Sequence, residues 1–158
     1  MRVIKVLAIL FLVILSSTGN AQMIIEEQLN WTGVSEQKFS EGLIVKSLGF
    51  EGAVAINEDL LPEYAAVKRL NGRPARVSVQ FISQTFENLT AEELSVVDAN
   101  ALTSEINIQS GVSYERGLAY AVISFVPIRK NALGTIEKLK TFKLQVNTTG
   151  SVPLNSQR

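Results

Sequence analysis

The chain contains no cysteine and no histidine. The first absence excludes disulfides, a thiolate nucleophile and lipid anchoring through a modified cysteine. The second removes the usual base that activates such a nucleophile. A Cys/His peptidase centre therefore cannot be assembled from these residues. An excess of either charge is also missing, with 15 basic and 15 acidic side chains. Setting aside Arg2 and Lys5 leaves 13 basic against 15 acidic, a net charge of −2. That balance argues against a nucleic-acid footprint or a polybasic membrane surface. No long helical pattern lies between the strand-like runs, which argues against βαβ units. Internal repeats and low-complexity tracts are lacking too.

One unbroken hydrophobic run is present, Val6 to Leu15. It is shorter than the roughly 20 residues that a membrane-spanning helix needs. Arg2 and Lys5 precede it, and Gly19-Asn20-Ala21 follows with small residues at the positions a signal peptidase reads. Residues 1–21 are read as a secretory signal peptide, with cleavage after Ala21. Residues 22–147 are then expected to form one domain, large enough for a core without crosslinks. Residues 148–158, polar and carrying Gly150 and Pro153, are read as the start of a linker.

The remaining pattern is mostly of period two, as strands require. Ile25, Leu29 and Trp31 share one parity, and Gln28 and Asn30 share the other. Gly42 and Gly49 bracket LIVKSL, a second strand candidate. Val77, Val79 and Phe81 alternate with polar neighbours, as do Ile106 and Ile108. Ala119–Val126 is apolar on both parities and is predicted to be a central buried strand, ended by Pro127. A hairpin through Arg129–Gly134 leads to Phe142, Leu144 and Val146, a clean alternation. Leu139 is out of phase with that set, which predicts a bulge near Lys140-Thr141. Thr90-Ala91-Glu92-Glu93 fits a helix capping box, with Leu94, Val97 and Leu102 facing inward. A second helix is predicted within Asp59–Lys68, where Pro62 suits a first turn and Tyr64, Ala65 and Val67 would pack inward. The predicted fold class is mainly β, an antiparallel β-sandwich with one or two short helices.

Six segments occur in order: LNWTG, SLGFEGA, LPEYAAVKRLNG, LTAEEL, SYERGLAYAVISFVPIRKN and EKLKTFKLQV. Together, over roughly Leu29 to Val146, they resemble the N-terminal region of the PorU sortases of the type IX secretion system, which are gingipain-type cysteine peptidases. The resemblance implies an exported, Bacteroidota-type protein that passes through the periplasm to the outer membrane and cell surface. It implies a non-catalytic, pro-segment-like region, acting in folding, latency or docking, and a truncated reading frame or isolated N-terminal part. Its partner would be the peptidase domain of the same protein or other type IX secretion components. The peptidase residues of the family have no positions here to fall on. An independent exported β-sandwich module that binds a cell-surface partner is the alternative. Neither reading calls for a cofactor, a metal, nucleic acid or a transmembrane segment after signal cleavage.

Three groups of residues are candidates for chemistry or contact. Glu92 and Glu93 suit a helix N-terminus, and Glu58, Asp59 and Glu63 a loop-to-helix junction. A Ca²⁺ or acid–base site is the competing reading, without EF-hand spacing to support it. Arg129, Lys130, Lys138, Lys140 and Lys143 crowd one hairpin, either as a docking patch for an acidic partner or as a solvated, edge-protecting face. Arg116 precedes a turn at Gly117, either as a pseudo-substrate for an acidic pocket or as half of a cross-strand ion pair. Arg116, Arg129, Lys130, Lys138 and Lys140 are the candidate partner contacts. The N-glycosylation patterns at Asn30, Asn88 and Asn147 are read as coincidence in a bacterial chain.

Overall fold

The computed structural model describes residues 22–38, 42–56 and 61–151. The expected signal peptide and most of the expected linker lie outside them, as do Glu58 and Asp59.

Among the described residues, ten strands and one short helix follow in order. They are β1 (Gln22–Gln28), β2 (Trp31–Lys38), β3 (Ile44–Phe50), β4 (Ala55–Ile56), β5 (Pro62–Arg69), β6 (Arg76–Asn88), α1 (Ala91–Leu94), β7 (Gln109–Glu115), β8 (Leu118–Phe125), β9 (Ile128–Lys130) and β10 (Ile136–Thr149). One sheet has the order β1-β10-β6, with β9 also paired to β10, and a second has the order β4-β5-β8-β7. A β2-β3 hairpin stands apart from both. All the pairs are antiparallel. The expected antiparallel β-sandwich is what forms.

The main core lies between the two sheets. β10 contributes Leu139, Phe142, Leu144 and Val146, and β8 contributes Ala119, Ala121, Ile123 and Phe125. Tyr64 stacks on Phe125 at 4.8 Å, and Phe142 meets both rings edge-on at 5.2 and 5.5 Å. A smaller core of Leu48, Leu61, Leu89, Val97 and Ile128 lies under the β2-β3 hairpin. Trp31 touches both cores, and its indole Nε1 donates to the Leu139 carbonyl at 2.8 Å.

The register of β10 against β6 shifts between Leu139 and Thr141, which leaves Lys140 as the bulged residue. This is where the phase of Leu139 predicted it. The bulge keeps both Leu139 and Phe142 on the buried face. The capping box also forms: Glu93 N donates to Thr90 Oγ1 at 3.3 Å, and Thr90 N donates to Glu93 Oε2 at 2.9 Å.

Several expectations are corrected. No helix occupies 61–69; β5 runs there, with Pro62 as its first residue, where proline costs a strand no ladder bond. Tyr64 and Ala66 face inward, while Val67 is 63% exposed. Pairing with β8 fixes that alternation, Ala66 opposite Ile123 and Val67 opposite Val122. β8 is internal to its sheet, as expected, but it is buried on one face only. Val122, on the other face, is 39% exposed, because no second layer covers that side among the described residues. The single parity from Ile25 to Trp31 spans a break at Leu29-Asn30, where the chain passes from β1 to β2. Ile106 and Ile108 precede β7 and pack against the core from a loop. The helix ends at Leu94, which faces solvent, while Val97 beyond it is buried.

Candidate docking site

The β7-β8 hairpin ends in a two-residue turn, Arg116-Gly117. Both residues have positive φ, 49° and 81°. That is the twist a tight antiparallel hairpin selects, and glycine takes the second position without strain. Arg116 has to adopt it with a full side chain, at a cost of about 1 kcal/mol. Arg116 is exposed at the tip and forms no ion pair among the described residues, so the expected cross-strand pair is not made.

The end of the fold lies in the same corner. Tyr114 donates its hydroxyl to the Pro74 carbonyl, and the Arg73 guanidinium stands over the Tyr114 ring at 5.3 Å. Ala75 N donates to the Thr149 carbonyl at 3.1 Å. The chain then leaves β10 through Gly150, where φ is +70° and an added Cβ would meet the Ala75 Cβ at 3.0 Å. The C-terminal end of β10 therefore lies beside the base of the Arg116 hairpin.

The basic residues of the other hairpin are not one patch. Arg129 pairs with Glu137 at 3.0 Å and lies 3.6 Å over the Phe86 ring. Lys138 is buried, with Nζ 2.6 Å from Glu93 Oε1 and 3.4 Å from Glu87 Oε1. Lys140 reaches Glu87 at 3.5 Å from the surface, and Lys143 reaches Glu26 at 2.9 Å. Lys130 alone of the five has no ion pair among the described residues. It stands beside a loop closed by Asn131, whose Oδ1 accepts from Leu133 N and Thr135 N. Leu133 projects at that tip, 91% exposed. This hairpin and the Arg116 turn lie at opposite ends of the sandwich. β8 separates them, about 27 Å for eight residues at a strand's rise.

Glu93 and Lys138 thus belong to the architecture. Burial opposes the charge on Glu93 more than any single partner favours it. Together, the Lys138 ammonium and the Thr90 amide and hydroxyl still hold its carboxyl below the ordinary value. Glu92 sits exposed in the first turn of α1, as expected from the helix end. Among the described residues no cluster of acidic side chains is placed to hold a metal ion.

An open groove of about 800 Å³ is lined by Glu36, Ile44, Lys46, Val96, Val97 and Asp98. A cavity of about 290 Å³ is lined by Leu61, Leu102, Ile106, Phe125 and Ile128, with Glu63 and with Thr103, whose hydroxyl donates to the Glu105 carbonyl. Another, of about 220 Å³, lies between Glu27, Phe50 and Lys68. Tyr64 borders it, with its hydroxyl buried near the Glu27 carboxylate but outside hydrogen-bonding geometry. Burial, helped by that carboxylate, pushes the phenol well above its ordinary range, so it stays protonated.

What the arrangement offers is a surface, an exposed arginine turn beside the C-terminal end of β10. No family model matches the chain, and no curated protein matches it in sequence. Solved structures do match in shape, and two of them are gingipain structures. One is the complex of the Porphyromonas gingivalis RgpB pro- and mature domains, at 13% identity and a TM-score of 0.55, covering 89% of this chain and 89% of that one. The other is a structure of gingipain K from the same organism, described for its zymogenic latency, at 12% identity and a TM-score of 0.58. It covers 81% of this chain and 86% of that one. The fold is of the gingipain-propeptide type. At these identities the likeness concerns the fold alone. A gingipain-propeptide-type sandwich here presents Arg116 at one end and Lys130 at the other, with Arg129 and Lys138 tied into its own framework.

Proposed function

We propose that the chain is a non-catalytic, pro-domain-like unit that packs against a gingipain-type peptidase domain, aids its folding and holds it latent. The observation that carries this reading is a propeptide-type fold in a sequence without cysteine or histidine. The exposed Arg116 turn, beside the C-terminal end of β10, supplies the contact. A peptide chain docks to a peptidase in extended form, with its side chains in pockets. The left-handed backbone at Arg116-Gly117 departs from that form, so the guanidinium enters an acidic pocket while the following peptide bond is held out of line for attack. In this reading, which follows the sequence resemblance, the peptidase is of the sortase branch of the type IX system, and the chain passes through the periplasm to the outer membrane surface. For export, intact-mass measurement of secreted material is expected to begin at Gln22; retention of Val6–Leu15 defeats that part of the reading.

The test is to express the chain and the peptidase domain separately and measure binding and residual peptidase activity. The wild-type chain is expected to bind and to suppress activity. Arg116→Ala should weaken binding about 30-fold, the scale of a desolvated arginine anchor. Lys130→Ala at the far end should change association rate and salt dependence more than affinity. Two folded partners that do not bind at low or moderate salt would overturn the reading and leave an independent surface module. Binding that survives Arg116→Ala and is lost with Lys130→Ala would move the contact to the β9-β10 hairpin.

A further inference from the structure

Glycine inside a strand weakens it, so its presence there calls for a physical reason. The usual reasons are a left-handed backbone, a bulge, a close neighbour within the fold, or the close approach of something outside it. Gly111, in the middle of β7, has none of the first three. Its φ lies outside the left-handed region, and β7 pairs with β8 from Gln109 to Glu115 without a register shift. A Cβ added at Gly111 would meet nothing within 4 Å.

The empty position lies on the outer face of the β5-β8-β7 sheet. Val112 and Tyr114 of β7 pack on the main core with Ala119, Ala121, Ile123 and Phe125 of β8. Gly111 and Ser113, and Leu118, Tyr120 and Val122, therefore point the other way. One row across that face runs Val67, Val122, Gly111, and the next runs Arg69, Tyr120, Ser113. Val67, Val122 and Leu118 are exposed, and Tyr120 is half-buried. The first row thus steps down from two valines to a position without a side chain, a shallow hollow beside Val122. The outer face of the other sheet is unlike this one. Glu26, Lys143, Gln145 and Asn147 lie there, with Glu26 and Lys143 paired at 2.9 Å. Its exposed aliphatics, Ile24 and Ile82, stand apart on opposite edge strands.

We propose that this face docks on the peptidase domain and that the hollow at Gly111 receives one of its apolar side chains. This contact rests on the peptidase reading above and extends it from the Arg116 turn to the sheet behind it. Gly111 and Arg116 belong to one hairpin, about 17 Å apart at a strand's rise. That is within the reach of an interface of about 800 Å² per partner. A peptidase that takes up Arg116 therefore has this face as the adjoining uncovered surface. Charge points to the same partner. Arg69 and Arg116 rim the face at that end, both exposed and without an ion pair among the described residues. Glu115 is the one carboxylate at this end of the face among the described residues. An apolar patch inside a polar rim is the anatomy of a protein interface, and guanidinium groups in that rim fit carboxylates. The acidic surface they call for has the sign of the pocket that Arg116 requires.

The test is binding of variants to the separately expressed peptidase domain, with a urea midpoint measured for each. Gly111→Gln fills the hollow where the chain itself leaves open space. It should weaken binding about 30-fold, the scale of a lost central contact. It should leave the midpoint unchanged or raise it, because glycine is among the poorest strand residues. Gly111→Ala should move both quantities in the same directions, by less. Val67→Ser removes apolar contact area and should weaken binding about tenfold. Ile24→Ser, on the other sheet, should leave binding unchanged. Unchanged binding by Gly111→Gln overturns the proposal, and so does a loss of binding that follows a loss of stability. Equal losses from Val67→Ser and Ile24→Ser overturn it as well. If Arg116→Ala still weakens binding in those cases, the peptidase reading stands without this face. A folded wild-type chain that does not bind the folded peptidase domain overturns both.

Discussion

Ile123→Asp is expected to cost about 5 kcal/mol or more and to leave the chain largely unfolded at room temperature. Val122→Asp, one residue away, is expected to cost about 1 kcal/mol. Ile123 is fully buried on the inner face of β8, between Ala66 of β5 and Ser110 of β7. The substitution forfeits its apolar burial, about 2 to 3 kcal/mol, and places a carboxylate where no described cation can reach it. A domain of this size has roughly 5 to 15 kcal/mol in total. Val122 faces the uncovered side of the same sheet, so its replacement loses only a cross-strand contact with Val67 and some strand propensity. Urea denaturation of both variants checks the contrast, and equal losses would contradict the sheet assignment. The pH dependence has a definite sign. Burial raises the pKa of the new aspartate in the folded state above its unfolded value. The folded state then binds protons more readily, so the deficit of Ile123→Asp should shrink as pH falls toward about 4.

The parity that makes this contrast predictable is readable in the sequence, but only on one side. Ala121, Ile123 and Phe125 read as a buried face, and the phase slip at Leu139 locates the bulge, because both signals are local. β5 was not legible for the converse reason. Glu63, Ala65, Ala66 and Lys68 suit a helix, and Pro62 fits the start of either element. What decides is the ladder to β8, more than 50 residues away. The same limit governs the candidate site. Gly117 announces the Arg116 turn within four residues of sequence. The cations from Arg129 to Lys143 stand close together along the chain, so they read as a patch. Several of their carboxylate partners, Glu26, Glu87 and Glu93, come from distant elements and become visible only in the fold.

Lys138→Met should destabilise the chain by about 3 kcal/mol, against about 0.5 kcal/mol or less for Lys140→Met. Lys140 is an exposed cation 3.5 Å from Glu87, and such pairs contribute little. Lys138 and Glu93 are almost completely withdrawn from water, 2.6 Å apart. Removing the ammonium leaves the Glu93 carboxylate buried, and an uncompensated buried charge of this kind costs about 3 to 5 kcal/mol. Glu87, 3.4 Å away and partly exposed, cannot compensate because it has the same sign. The low end of that range is expected, because Glu93 keeps its bond from the Thr90 amide. Replacing both partners, as Glu93→Leu/Lys138→Met, should recover most of the loss, to within about 1 to 2 kcal/mol of wild type. The residue of the loss is the broken capping box. A double-mutant cycle of urea midpoints measures the coupling, and additive losses would remove the pair as a unit. Acid acts here with the opposite sign from Ile123→Asp. The folded-state pKa of Glu93 is held below its ordinary 4.5, so its contribution is complete above that value. It is lost as pH falls through the depressed folded value. Glu93→Gln should therefore flatten the acid limb of the stability curve below about pH 4.5, whereas the recovery of Ile123→Asp is nearly complete by about pH 4.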